Sequence, residues 1–218
     1  MFTRSEENYL KEIYHLEFHS KKEISTNAIA EKLQTKASSV TDMMKKLADK
    51  KVLNYKRYQG VTLTDSGKKN AANIIRKHRL WEVFLVEKLN FSWDEVHDVA
   101  EQLEHIQSQK LINELDIFLG HPKRDPHGDI IPDKDGKIQE QQQVLLSDLH
   151  INESGICVGV KDSSATFLQY LDKQKIALGQ EIITLGKEPF DGSFIIRIDK
   201  KEFSISQKIA TNLYVQKL

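Results

Sequence analysis

Three small groups of imidazole and carboxylate side chains stand out in the 218-residue sequence. His97, Glu101, Glu104 and His105 recur at helical spacing, and at about 100° per residue they share roughly a third of a helix circumference. Val96, Val99, Leu103 and Ile106 occupy another sector, so the polar stripe is separate from the apolar one. His78 and Glu82 are four residues apart, and an antiparallel helix pair can set them opposite the first group. Asp125-Pro126-His127-Gly128-Asp129 adds a carboxylate and an imidazole on a turn braced by proline. Nitrogen and oxygen donors without thiolate suit Mn²⁺, Fe²⁺, Co²⁺ or Zn²⁺ and disfavour Cu⁺. A single His/Glu pair on a helix is ordinarily a solvated contact worth roughly 0.2–0.5 kcal/mol. Here five of the eight histidines fall between His78 and His127, and the three groups together predict a metal-binding region.

The elements that must position these groups are legible from periodicity. Thr3 and Glu6 have capping-box spacing ahead of Leu10, Ile13 and Tyr14, which predicts a helix over about 3–19. A polar start at Ile24-Ser25-Thr26-Asn27 leads into a short helix with Ile29, Ala30 and Leu33 on one stripe, and Gln34-Thr35-Lys36 leads almost at once into another. In that next helix Val40, Met43, Met44 and Leu47 face inward as core, while Ser38, Ser39, Thr41, Asp42, Lys45 and Lys46 point largely outward. Two short helices joined by a tight turn, the second with small polar residues outside, predict a helix-turn-helix. From Val52 to Thr64 the period changes to two across a turn containing Gly60, as in a β-hairpin whose tip offers Lys56, Arg57 and Tyr58 to phosphates. The order is that of a winged helix.

A long helix is expected from Thr64-Asp65-Ser66 to about Leu89. A second, opened by Ser92 and Glu95, runs to about Gln107, and a third from about Ser108 to Leu119 stops at Gly120. The stretch 121–143 holds three of the four prolines and reads as loop and linker. Beyond it, β-rich runs at 155–160, 181–185, 193–198 and 202–205 predict a small barrel. The expected organisation is therefore mostly α with a small β domain: a winged helix-turn-helix over 1–64, a helical domain with its linker over 65–140, and an SH3-like barrel over 141–218.

Composition narrows the function classes. With 39% apolar and 29% charged residues the chain has the make-up of a soluble globular protein. No apolar run approaches the roughly 20 residues of a membrane helix, and the start carries no secretory signal pattern, so a cytoplasmic location without membrane contact is expected. The single cysteine, Cys157, excludes an intramolecular disulfide and CxxC zinc spacing. The net charge of zero conceals an asymmetry: residues 1–80 carry 17 basic and 9 acidic side chains, the remainder 15 and 23. Between Lys36 and Arg79 there are 12 basic and 3 acidic residues, the footprint of a surface that binds nucleic acid. On that surface Ser38, Ser39, Thr41 and Asp42 are the candidate base readers, and Lys36, Lys45, Lys56 and Arg57, with Tyr58, the phosphate contacts. Neither HExxH nor a nucleophile elbow accompanies the metal-type residues, which argues against an enzyme. The alternatives are a metal-dependent hydrolase and a winged-helix regulator answering to an effector other than a metal.

The order of a winged helix, Arg76-Lys77-His78-Arg79-Leu80-Trp81-Glu82, His97-Asp98-Val99-Ala100-Glu101-Gln102-Leu103-Glu104-His105, Asp125-Pro126-His127-Gly128 and a small β domain resembles the diphtheria toxin repressor and manganese transport regulator family of metal-dependent transcription factors. The resemblance covers nearly the whole chain. It implies a homodimer on double-stranded operator DNA, two metal sites, and a carboxy-terminal barrel of the FeoA type. It places a primary site at Asn8, Glu101, Glu104 and His105, and an ancillary site at His78, Glu82 and His97 with Asp125, His127 and the barrel residue Asp162. Manganese-responsive members carry Asp and Glu where this chain has Asn8 and Glu101, and iron-responsive members Met and Cys, so Glu101 favours Mn²⁺ with Fe²⁺ as the alternative. The iron branch's barrel ligands align near Ser163 and Thr166, whereas Asp162 with the DPHG loop is similar to the manganese-responsive three-domain branch. Asn8 is a neutral donor in place of an anion, and Lys11 stands where some two-domain members have a Glu ligand.

Overall fold

The computed structural model describes residues 2–19, 23–56, 59–138 and 142–218. The chain divides into two compact units: 1–81 with 100–118 and 131–138, and 82–99 with 119–130 and 139–218.

The first unit begins with α1 (Arg4–His19), α2 (Thr26–Lys32) and α3 (Ala37–Asp49), followed by the hairpin strands β1 (Leu53–Lys56) and β2 (Gly60–Leu63). Leu10 and Ile13 of α1, Ile29 of α2, and Val40, Met44 and Leu47 of α3 are buried together with Leu53, Val61 and Leu63 from the hairpin. The hairpin pairs Leu53 with Leu63 and Tyr55 with Val61, and Ile24 adds a bridge on the outer side of Val61. Ser25 accepts from the Ala28 N–H at 3.1 Å and so starts α2, as its position in the sequence predicts. The long helix α4 (Asp65–Leu89) opens under Thr64, whose hydroxyl accepts from the Gly67 N–H at 3.1 Å. A Cβ at Gly67 would lie 1.8 Å from the Val52 carbonyl oxygen, so only glycine lets α4 start this close to the hairpin.

α5 (Val96–Leu103) and α6 (Gln109–Phe118) complete the helical part, and the division between units falls inside α4 and α5. α5 ends four residues earlier than its sequence pattern predicts. Ile106 N–H bonds the Leu103 carbonyl in a tightened last turn, and Ser108 begins α6 by accepting from Leu111 N–H. Glu104 and His105 therefore sit on a turn, not on one continuous helical stripe with His97.

The second unit is built on a six-stranded antiparallel sheet, with strands β3 (Val144–Leu145), β4 (Ser154–Val160), β5 (Glu181–Lys187), β6 (Phe194–Ile198), β7 (Lys201–Ile205) and β8 (Leu213–Lys217) in the order β3-β8-β4-β5-β6-β7. Helices α7 (Ala165–Gln174) and α8 (Gln207–Ala210) lie between β4 and β5 and between β7 and β8 in sequence. Leu168, Leu171, Ile182, Phe194, Ile196, Leu213 and Val215 form its core. The small β domain agrees with the sequence pattern, which missed α7 and β8.

One buried charge ties α1 to α3. Glu6 is fully buried, accepts from the Thr3 N–H at 2.7 Å, and pairs with Lys50 at 2.8 Å and Lys46 at 3.1 Å. Burial by itself would raise its carboxyl, but Lys50, the Thr3 N–H and Lys46 outweigh that and hold it near 2 instead of the ordinary 4.5. A carboxyl depressed in this way stabilises the fold above about pH 4.5, and the contribution disappears as pH falls toward 2. Glu6→Gln is expected to cost about 1.5–3 kcal/mol at pH 7. It should also flatten the acid limb of stability between those two pH values, as read by urea unfolding at a series of pH values.

Candidate metal centre

The first unit brings α1, α4 and the end of α5 together around two carboxylates. Lys11 of α1 is buried, with its side chain 7% exposed, and its ammonium donates to Glu104 Oε1 at 2.8 Å and Oε2 at 3.0 Å and is ion-paired with Glu101. His78 of α4 lies 2.7 Å through Nδ1 from Glu104 Oε2. Glu104 is fully buried, and although burial alone would raise its carboxyl, His78 and Lys11 hold it below the ordinary carboxylate range. On the same side of α1, Glu7 accepts from His105 Nδ1–H at 2.6 Å and from Gln107 Nε2–H at 2.8 Å.

Two polar atoms in this neighbourhood, Asn8 Oδ1 and His105 Nε2, are buried and have no hydrogen-bond partner. Buried polar atoms are normally satisfied, so each orphan calls for an explanation. With its Nδ1–H donating to Glu7, His105 turns Nε2 toward Glu104 Oε1 at 3.7 Å, beyond hydrogen-bond distance, and Asn8 Oδ1 is a carbonyl-type oxygen. Both are donors of the kind a divalent cation accepts, and Glu101 and Glu104 supply the anionic charge. The residues of the expected primary set therefore fit a cation in type, with Lys11 already placed on their carboxylates.

The second unit forms a separate constellation. Glu82, Asp125 and His127 are all buried, and one ligand atom from each lies within 4.8 Å of the others. His127 Nδ1 is 3.6 Å from Glu82 Oε1, and the more exposed His97 is 3.4 Å from the same oxygen. His127 Nε2–H donates to the Trp93 carbonyl at 2.7 Å; since a carbonyl can only accept, this bond fixes the tautomer and leaves Nδ1 for the carboxylates. Burial disfavours the imidazolium, yet Glu82 and Asp125 push His127 up to about 9, so the two carboxylates favour positive charge at this point.

The loop that delivers His127 is built by its own residues. Asp125 Oδ1 accepts from the N–H groups of His127 and Asp129, each at 2.9 Å, and Val160 N–H bonds the His127 carbonyl at 2.9 Å. Gly128 has φ +89°, and a Cβ there would fall 2.1 Å from the Val158 oxygen and 2.3 Å from Gly159 Cα. The glycine is what lets the loop lie on β4.

Of the remaining sequence-predicted residues, Asp162 accepts from Ser164 N–H at 2.9 Å ahead of α7 and belongs to no such cluster among the described residues. Cys157 is buried in the sheet core, where burial pushes its thiol up to about 11. On α3, Lys36, Ser38, Ser39, Asp42 and Lys45 are exposed. Thr41 is half-buried and donates its hydroxyl to the Ala37 carbonyl at 2.9 Å, and Asp42 pairs with Lys45 at 3.3 Å. Lys56 is exposed at the end of β1, while Arg57 and Tyr58 lie outside the described residues. Sequence reasoning missed Glu7 and the Trp93 carbonyl. Glu7 left a signal, since it stands four residues before Lys11 on the same helix. A backbone carbonyl leaves none.

Models of the iron-dependent repressor N-terminal DNA-binding domain, of the iron-dependent repressor metal-binding and dimerisation domain, and of the FeoA domain match residues 1–61, 64–133 and 144–217. The chain is 33% identical over 155 residues to the HTH-type transcriptional regulator MntR of Oceanobacillus iheyensis, covering 71% of this chain and 98% of that one. It is similar to the solved structure of a manganese-dependent transcriptional repressor in complex with manganese, at TM-score 0.85 and 34% identity over 98% of this chain and 100% of the other. Cadmium-bound ScaR gives TM-score 0.78 and 35% identity over 98% and 99%.

Replacing Gly128 by Ala is expected to destabilise the second unit by roughly 2–4 kcal/mol, combining a backbone collision with an unfavourable φ. Thermal unfolding should register the loss, and nitrogen-15 spectra should place the largest shifts at His127 and Val158–Val160.

Proposed function

The chain belongs to the iron-dependent repressor family, and from that premise we propose that it is a manganese-responsive repressor of metal-uptake genes, with Fe²⁺ as the alternative effector. The family is one of DNA-binding transcriptional repressors, not of enzymes, which removes the hydrolase alternative. The observation that carries the metal reading is the buried group of Glu82, Asp125 and His127, one ligand atom from each lying within 4.8 Å of the others.

Two cation centres are proposed, one held by Asn8, Glu101, Glu104 and His105, with His78 orienting Glu104, and one held by Glu82, Asp125 and His127, with His97 at its edge. A divalent cation bound at these donors supplies concentrated positive charge to buried carboxylates. Everything else is done by the chain. Glu7 holds His105 in its donor tautomer, and the Trp93 carbonyl does the same for His127. Glu6 passes the position of α1 on to Lys46 of α3 and to Lys50 at its C-cap, so whatever fixes α1 also fixes the reading helix. The all-N/O donor sets suit Mn²⁺ and Fe²⁺ over softer ions.

On the DNA side, exposed Lys36, Lys45 and Lys56, with Arg57 and Tyr58, are assigned to phosphates, and Ser38, Ser39, Thr41 and Asp42 to base edges. Short hydroxyl side chains, one of them already bonded to its own helix, leave a share of the specificity to DNA shape. Exposed Leu111, Ile117 and Phe118 of α6 offer apolar surface for a homodimer, which would present two reading heads to an operator with half-sites about 34 Å apart. Among the described residues no helix is long and apolar enough to cross a membrane. As a repressor that has to reach operator DNA, the protein is assigned to the cytoplasm.

The test is Mn²⁺ calorimetry combined with selection of promoter fragments from genomic DNA in Mn²⁺ and in chelator. Enrichment of the same intergenic fragments only with Mn²⁺ is expected; identical selections would refute the reading. Glu82→Gln is expected to weaken the tightest Mn²⁺ binding at least tenfold and, because Glu82 is buried against His127, to lower the thermal transition of the metal-free protein by a few degrees while keeping it cooperative. Replacing Lys45 and Lys56 together by Ala should weaken binding to all DNA sequences and, with two lysines lost from each protomer of the dimer, reduce the slope of log affinity against log salt by about 3.6. An unchanged slope would remove these residues from the DNA contact.

A further inference from the structure

The two centres differ in a way that their donor residues alone do not reveal. At the second, Glu82 and Asp125 bring two negative charges, and the group whose positive charge they favour, His127, is itself one of the three ligand residues. At the first, Glu101 and Glu104 also bring two, but Lys11 returns one positive charge, and Asn8 adds none. The ammonium uses the very oxygens a metal would need: it reaches both oxygens of Glu104 and Oε1 of Glu101. It is delivered from α1, three residues after Asn8, so its stem crosses from the DNA-reading helices to the end of α5. A buried carboxylate, Glu104, next to a half-buried one, Glu101, is disfavoured without a counter-charge, and an ammonium with three N–H donors can satisfy both.

We propose that Lys11 is the resident cation of the first centre: its ammonium occupies the carboxylates of Glu101 and Glu104, ties α1 to the end of α5 without a metal, and leaves the Glu82–Asp125–His127 centre as the one tight Mn²⁺ site of the chain. This rests on the proposed function for its choice of ion, but the role of Lys11 is tested separately, by the difference between the parent and its Lys11→Met variant. A divalent ion at the first centre has to displace the ammonium from oxygens it needs and then remain beside a like charge. The sensor is thereby divided in two. A built-in charge maintains the link between α1 and α5, and the metal input enters through the loop that carries His127.

The experiment counts Mn²⁺ bound per chain from the free-ion signal in electron paramagnetic resonance, at micromolar protein, for the parent and for Lys11→Met, which keeps the length of the side chain and removes its charge. One tight equivalent is expected in the parent and two in K11M, with the second bound at least tenfold more tightly than any second ion in the parent. Two equally tight equivalents in the parent, or no gain in K11M, would overturn the proposal. A parent that binds none while K11M gains one upholds the role of Lys11 and instead overturns the assignment of the second centre. Crystals of the parent grown with Mn²⁺ give an independent reading that does not depend on K11M folding. Anomalous density is expected at Glu82, Asp125 and His127, and a peak between Glu101 and Glu104 would overturn the proposal.

Discussion

A buried ammonium between two carboxylates joins the first helix of the DNA-reading unit to the end of α5, and the arrangement of that unit depends on this contact. Removing one partner of a buried ion pair leaves the other charge uncompensated and typically costs about 3–5 kcal/mol. Lys11, Glu101, Glu104 and His78 therefore act as one charge cluster that tolerates a change of cation far better than the loss of one. The cluster sits on α1, and α1 is also fastened to α3 through Glu6 with Lys46 and Lys50. One helix thus takes part in two buried electrostatic contacts, one with the chemistry of a cation site and one with α3 and its C-cap. The coupling needs no long pathway, since both contacts are made from a single rigid element.

The second centre illustrates a different economy. Its imidazole comes from a loop, and loops are poor platforms for exact geometry unless they are pinned. Here Asp125 caps the loop from inside, Gly128 allows it to lie against β4, and Trp93 fixes the ring through a backbone oxygen. Trp93 is itself held by an indole N–H bond to Asp172 of α7 at 2.9 Å, and Asp94 accepts from Gln169 at 2.7 Å. The sheet and its helix therefore support the metal-type residues of the second unit without contributing Asp162 as a member of the cluster.

Much of this was legible in the sequence, and the reasons are local. Capping signals at Thr3 and Ser25, the change of period at Val52 and the glycine of the DPHG loop act over a few residues, and the corresponding elements form where these signals stand, whereas the Ser92–Glu95 box closes a turn and α5 begins only at Val96. The exit of the chain from α5 at Leu103 was not legible, because nothing in the apolar period distinguishes a continuing helix from a tightened turn that delivers Glu104 and His105 to α1. α7 and β8 escaped for a related reason: short amphipathic segments next to a sheet are decided by the packing of Leu168, Leu171, Leu213 and Val215, which is tertiary. For the site, residue types and spacing pointed to the right region. What they left out was pairing: that His78 meets Glu104, that Glu7 holds His105, and that the Lys11 ammonium lies on the carboxylates.

Transmission of the state of the charge cluster through α1 to α3 can be measured directly by amide hydrogen exchange in Glu104→Ala and in the parent protein. The account predicts faster exchange in residues 4–19 and 37–49 of the variant, with the strands 181–187 and 194–198 unchanged. Equal protection of α1 and α3 in the two proteins would contradict it.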